Sequence, residues 1–349
     1  MGTQTSQGRP KTHKKTINGR VAIDPHPTDT HLKRTTILVN DCARSIAFYR
    51  DVIGMIEYYN QTMSVGGKII PAGEPGAKVH LGIMEGNRSN IAKLGILEWT
   101  GPRLPEKPGF AERTRLGIGD TVFVCETPSM DPLIKRLEAS SDCRVHCPPY
   151  DWSMPRPDGR GQTEMTTMSF FDPDGFFYEV NQKRNAPNID AFSIKRTTLI
   201  VCDIQKSVDF YKNVMGMKVS YDQEMTVGGE VLPAGQPGAQ VRLAIMQGND
   251  PEVGMLGLMQ YLNPEIEDPG PYPKTIGIGT AMFVAGAENV NDIKRRMIEA
   301  GDAYNHTIHC EPGHDEVTGA DGKTIQLTTM SFFDPDGYFY ELNTRKEVA

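Results

Sequence analysis

Two short segments carry the side chains best suited to chemistry. Arg34-Thr35-Thr36 and Arg196-Thr197-Thr198 lie 162 residues apart, and the two-residue period of a strand puts each arginine on one face with its second threonine. In a dry cleft a guanidinium holds a carboxylate, carbonyl or enolate oxygen through fixed, charged donors. The structural alternative is an ion pair bracing neighbouring strands. His80, in the run Lys78-Val-His-Leu-Gly-Ile-Met84, gives way to Arg242 in the matching run around Val241. Both are expected on the cleft side and, with Thr36 and Thr198, form the expected substrate contacts; His80 is either an acid–base group or a half-buried polar residue. Cys143 and Cys147 flank His146 without the further ligands that a zinc site needs. Asp172-Pro-Asp174-Gly175 and Asp334-Pro-Asp336-Gly337 have the composition of tight turns, so their aspartates are assigned to hairpins rather than to catalysis. The stretch Gly66-Gly67-Lys-Ile-Ile-Pro-Ala-Gly73 is glycine-rich but has no phosphate-loop spacing and lies between strands; a mobile flap over a cleft is the functional reading.

The elements that must position these groups follow from an internal duplication. Residues 34–100 align with 196–262 without a gap, with 31 of 67 positions identical, and Thr166–Asn181 recurs almost unchanged as Thr328–Asn343. The halves span 29–182 and 192–349, joined by a polar connection at 183–191, and residues 1–28 read as a flexible basic arm. Within each half a β-branched strand leads into a helix capped by Asp41 or Asp203 and stopped by Gly54 or Gly216. Three strand-like runs follow, and the order then restarts. The expectation is an α+β fold of four βαβββ units, forming two tandem domains whose curved mixed sheets enclose clefts.

Composition narrows the partners. The chain has 349 residues and a net charge of −7, which argues against nucleic acid and anionic membranes as partners. No apolar run is long enough to cross a membrane as a helix. Six cysteines without regular spacing suit a reducing compartment. The expected protein is cytoplasmic, a monomer or homodimer, with a small molecule as its partner.

The first strand followed by Asp-x-x-x-Ser-x-x-Phe-Tyr-x-x-x-x-Gly-Met, together with the closing Asp-Pro-Asp-Gly-x-x-x-Glu, resembles the vicinal oxygen chelate superfamily of glyoxalases, bleomycin-resistance proteins and extradiol dioxygenases. Asp41, Ser45, Phe48, Tyr49, Gly54 and Asp172–Glu179 carry the likeness in the first half. Asp203, Ser207, Phe210, Tyr211, Gly216 and Asp334–Glu341 carry it in the second. The resemblance implies two tandem glyoxalase-like domains and, in metal-using members, ligands on the first and last strands of the units. Carried over by position, these are Arg34, Glu98, Asp120 and Glu179 in one half and Arg196, Gln260, Thr280 and Glu341 in the other. If units pair across the halves, the groups become Arg34, Glu98, Thr280, Glu341 and Asp120, Glu179, Arg196, Gln260. A guanidinium cannot ligate a metal, so no cofactor is favoured. Should a divalent Zn, Ni, Fe or Mn ion be bound, the resemblance points to Glu98, Asp120 and Glu179. The implied activity is lyase or isomerase chemistry: proton abstraction beside a carbonyl, with Arg34 or Arg196 holding the oxyanion and Glu98 or Glu179 as base. Glu341 stands as the second-half counterpart of Glu179. Two alternatives are a non-catalytic binder of the bleomycin-resistance type and a metal-dependent lyase like glyoxalase I.

Overall fold

A computed structural model describes residues 15–17, 20–22, 30–86, 92–155, 161–185, 189, 191–248, 254–272, 274–318 and 324–347. Of the basic arm, a short antiparallel pair is described, β1 (Lys15–Ile17) with β2 (Arg20–Ala22); the rest of the arm and residues 186–188 and 190 of the connection lie outside the described residues.

Four βαβββ units follow in chain order. The first is β3 (Thr30–Leu38), α1 (Cys42–Ala47), β4 (Ile56–Ser64), β5 (Lys78–Glu85) and β6 (Lys93–Gly101). The second comprises β7 (Thr121–Glu126), α2 (Met130–Ala139), β8 (Arg144–Pro155), β9 (Gln162–Phe171) and β10 (Phe177–Lys183). Next come β11 (Ser193–Ile200), α3 (Ile204–Asn213), β12 (Lys218–Thr226), β13 (Gln240–Gln247) and β14 (Met255–Asn263). The fourth unit is β15 (Ala281–Ala287), α4 (Val290–Ala300), β16 (Thr307–Thr318), β17 (Thr324–Phe333) and β18 (Phe339–Glu347). Asp41 and Asp203 cap α1 and α3 by accepting from Arg44 N and Lys206 N. Past Ala47 the first helix widens into a π-helical turn, Phe48–Ile53, which ends at Gly54 with φ of 89°, a left-handed angle that glycine adopts without strain.

The units pair across the halves. One eight-stranded sheet runs β12-β13-β14-β11-β7-β10-β9-β8, the other β16-β17-β18-β15-β3-β6-β5-β4. Each sheet is thus sewn together at an antiparallel junction of two first strands, β11 on β7 and β3 on β15. The boundaries 29–182 and 192–349 follow the sequence repeat, while each sheet takes one unit from each half. Of the two groupings left open by the sequence, the structure has the one that crosses the halves.

One face of each sheet packs the helices. There Phe123, Tyr178 and Phe170 stack with centroids 4.8 and 5.3 Å apart, as do Phe283, Tyr340 and Phe332 at 4.9 and 5.1 Å. The turn and helix motifs of the sequence prove to be two parts of one lock. Tyr49 donates its hydroxyl proton to Asp172, which also accepts from Phe176 N at 2.7 Å and Asp174 N at 3.0 Å. Ser45 Oγ donates to Asp174 at 2.5 Å. Tyr211 with Asp334, and Ser207 with Asp336, repeat the arrangement between the third and fourth units. Burial raises the pKa of Asp172 to about 7, with Asp174 adding to the effect. The aspartates sit in the hairpin turns that their composition suggested, and they also dock the helices.

Candidate active site

The opposite face of each sheet is concave, and an arginine and a glutamate stand on it in the same row. Arg196 on β11 and Glu179 on β10 are both in register with Val124 of β7, one on either side. Arg34 on β3 and Glu341 on β18 flank Val284 of β15 in the same way. Strands lie about 4.8 Å apart, so each arginine and glutamate have Cα atoms about 10 Å apart. Among the described residues no ion pair joins them, although a bracing ion pair was the structural alternative for both arginines. Instead Arg34 Nε donates to Thr36 Oγ1 and Arg196 Nε to Thr198 Oγ1, both at 2.9 Å. These threonines fix the guanidinium planes and leave the terminal nitrogens without a protein partner among the described residues. Burial lowers the pKa of each arginine, and the glutamate across the row works against it; both stay charged.

The glutamates are held from behind. Asn181 Nδ2 donates to Glu179 Oε1 at 2.8 Å, Thr167 Oγ1 donates to Asn181 Oδ1 at 2.6 Å, and Trp152 Nε1 donates to Thr167 Oγ1 at 2.8 Å. In the other sheet Asn343 Nδ2 reaches Glu341 Oε1 at 3.5 Å. Sequence reasoning missed Asn181, Asn343, Thr167 and Trp152. The repeated Tyr-Glu-Val-Asn181 and Tyr-Glu-Leu-Asn343 held the signal for the asparagines, two residues past each glutamate and so on its face.

The glycine-rich stretches close over these rows. The segment Gly228–Leu232 lines a cleft of about 470 Å³ with Val122, Val124, Glu179, Arg196 and Thr198. Gly66–Ile70 lines a cleft of about 720 Å³ with Glu341, Thr329 and Leu327. Each flap is pinned to the unit from the other half: Ser169 Oγ donates to Val231 O at 2.7 Å and Ser331 Oγ to Ile69 O at 2.6 Å. The clefts differ in lining. Tyr150 and Trp152 on β8 line the smaller one, whereas the equivalent positions on β16, Gly313 and Asp315, which pair with Thr329 and Leu327 as Tyr150 and Trp152 pair with Thr167 and Met165, line the larger. On the flaps, Glu230 in the smaller cleft answers Lys68 in the larger.

Several expected site residues lie elsewhere. Glu98 Oε2 accepts from Cys42 N at 3.0 Å and Gln260 Oε1 from Ile204 N at 3.1 Å, so both cap the first turn of a helix. Their neighbours Leu97 and Trp99, and Met259 and Tyr261, take the cleft face; a displacement of one residue along a strand reverses the side. The same parity turns His80 and Arg242 away from the clefts. His80 Nε2 lies 2.6 Å from Asn60 Oδ1, and Arg242 grips Asp222 with Nε and Nη2 at 2.8 Å each, while Val241 and Leu243 line the cleft. Asp120 pairs with Arg113 and accepts from Gly117 N at 2.9 Å; Thr280 accepts from Gly277 N at 3.2 Å in the matching turn.

The donor set does not fit a metal. Glu98 sits in one sheet and Asp120 and Glu179 in the other, so the three cannot converge. Among the described residues no group of three or more His, Cys, Asp or Glu side chains is placed to hold an ion. Each row offers a single carboxylate beside a fixed guanidinium, which does not suit Zn, Ni, Fe or Mn.

Paired βαβββ units and curled eight-stranded sheets define a glyoxalase-like protein with two clefts. Residues 193–342 match the family model described as Glyoxalase/Bleomycin resistance protein/Dioxygenase superfamily, and the first half is a sequence repeat of that matched region. Among solved structures it is similar to glyoxalase I from Zea mays, with a TM-score of 0.57, 15% identity, and coverage of 90% of this chain and 92% of that one. A point mutant of that enzyme gives 0.57 and 16%, covering 90% and 94%. At such identities the likeness concerns the fold. No curated protein sequence matches the chain. Among the described residues no helix is long and apolar enough to cross a membrane.

Proposed function

We propose that the protein is a lyase or isomerase that removes a proton beside a carbonyl group of a small, partly apolar molecule bound in the Val124 cleft. The observation that carries this reading is the row Glu179–Val124–Arg196, where a fixed guanidinium and a fixed carboxylate face one apolar cleft without pairing. A carbonyl oxygen seated on the Arg196 terminal nitrogens leaves its neighbouring carbon toward Glu179. Glu179 takes the proton, and the charge that develops on the oxygen is held by donors already in place. Returning the proton at another carbon gives isomerisation; expelling a group gives a lyase. The flap at 228–232 limits water, which strengthens each charged contact. The Arg34–Glu341 row offers the same groups in a wider, more polar cleft.

Glu179→Gln tests this directly. A base contributes about 10²–10⁴ in rate, so turnover of a substrate found by screening carbonyl compounds should fall by about that factor with ligand affinity nearly unchanged. Unchanged turnover would refute Glu179 as the base. The aromatic pair Tyr150 and Trp152 favours a second reading, a binding protein of the bleomycin-resistance kind. Tight binding of aromatic ligands without turnover of any of them would support that reading instead.

A further inference from the structure

The two sheets differ in a charged cluster at the end of the concave face. In the smaller cleft's sheet, Glu126 is buried between two lysines, its Oε2 3.3 Å from Lys183 Nζ and 3.7 Å from Lys195 Nζ. Strand register puts Gly286 at the Glu126 position of the other sheet, since Ser193 pairs with Glu126 and His31 with Gly286. The lysines there become Lys33 and Arg345, and the carboxylate between them is gone. Lys33 Nζ keeps one partner, Asn343 Oδ1 at 2.8 Å; Arg345 is exposed and has no partner among the described residues. Strand β15 cannot supply the acid from within, because a Cβ at Gly286 would run into Lys33 Cε and come within 2.7 Å of His31 Nε2.

We infer that this end of the larger cleft's sheet binds the carboxylate of a small organic acid between Lys33 and Arg345, the place that Glu126 fills in the other sheet. Arg345 and Asn343 are in register with Leu327 and Thr329, which line the 720 Å³ cleft, so the remainder of the acid extends over Leu327 toward the apolar flap residues Val65, Ile69 and Ile70. A carboxylate between two cations gains charge-assisted hydrogen bonds. The inference concerns binding at this end of the larger cleft and does not depend on the Glu179 chemistry.

The groups facing Lys33 also set a pH dependence. They are Arg34 and His31 on its own strand and Arg345 and Glu341 on β18, while β15 contributes only Gly286. Burial, with Arg345 next, brings the Lys33 amine down to about 8, against a raising effect from Glu341. Burial and Lys33 lower His31 to about 4, so it is neutral near pH 7. An anion favours the charged amine, and its affinity should therefore decline as pH rises through about 8.

The test is titration calorimetry of the full chain with hexanoate and with methyl hexanoate at pH 7. Hexanoate should bind one per chain, with the ester about tenfold weaker or worse. Lys33→Met and Arg345→Met should each weaken hexanoate about tenfold or more, whereas Lys195→Met, whose amine already faces Glu126, should leave affinity unchanged. Arg345 is exposed, so its variant keeps the test decisive if Lys33→Met fails to fold. Equal affinity for acid and ester, full affinity in folded Arg345→Met, or no binding at millimolar hexanoate would overturn the inference.

Discussion

Replacing Tyr49 by Phe probes the lock between helix and turn. Asp172 is fully buried and takes three donors, Tyr49 Oη, Asp174 N and Phe176 N. The Phe ring keeps the packing and removes one donor from the carboxyl group, which costs about 1–3 kcal/mol when the group is charged. Asp172 has its pKa raised from 3.8 to about 7, burial being the main cause. A carboxyl whose folded value lies above its unfolded value binds its proton more tightly in the native state. Its unfavourable effect is therefore absent below about pH 4, grows as pH rises toward 7, and is complete above that. At pH 8 the variant loses a donor to a charged group, while at pH 5 it loses a neutral hydrogen bond of about 0.5–1.5 kcal/mol. With about 2.1 cal/mol/K of unfolding entropy per residue, 349 residues give about 0.7 kcal/mol/K. A loss of about 2 kcal/mol at pH 8 then lowers Tm by about 3 °C, and about 0.7 kcal/mol at pH 5 lowers it by about 1 °C. Thermal melts of wild type and variant at both pH values read this out. An equal drop at the two pH values, or a larger one at pH 5, would refute the assignment of Asp172 as the charged acceptor.

Other expectations concern the clefts. Ser169→Ala removes the tie from β9 to Val231 O, so amide exchange across 228–232 should accelerate, by about tenfold for a hydrogen bond of about 1 kcal/mol or slightly more; unchanged exchange would mean that the flap is held by packing alone. Thr198→Val takes away the acceptor that orients Arg196 Nε. Affinity for a carbonyl ligand of the Val124 cleft should fall several-fold while Tm moves little, and a fall in Tm without loss of affinity would assign Thr198 to stability instead. Since the carboxylates do not converge, elemental analysis of protein purified without chelator should find substoichiometric Zn, Ni, Fe and Mn. One equivalent lost on chelator treatment would contradict the donor-set argument.

The order of elements was legible because it rests on local chemistry: Asp41 and Asp203 accept from the first-turn amides, Gly54 tolerates a left-handed angle, and β-branched runs alternate on the pleat. Arg34, Thr36, Arg196 and Thr198 were legible for the same reason, since side-chain direction within a short strand follows from period two. The glutamates two residues before Asn181 and Asn343 could be placed by their closing motif. Glu98, Gln260, His80 and Arg242 were not legible. Their side depends on the register of β5, β6, β13 and β14 within a whole sheet, and a displacement of one residue turns a cleft ligand into a helix cap.

Local sequence was enough for four βαβββ units and a duplicated pair of arginine strands, while the locks that join Ser45 and Tyr49 to Asp174 and Asp172 came from the fold. The junctions of β7 with β11 and of β15 with β3 emerged only in three dimensions, and with them the facing of Glu179 by Arg196 and of Glu341 by Arg34. The duplication explains this division. The repeated first strands present similar edges and apolar patterns, so local propensity cannot choose between partners, and the choice falls to the packing of two whole sheets. That choice also exposed what the repeat conceals, a carboxylate at Glu126 on one sheet and a glycine at Gly286 on the other.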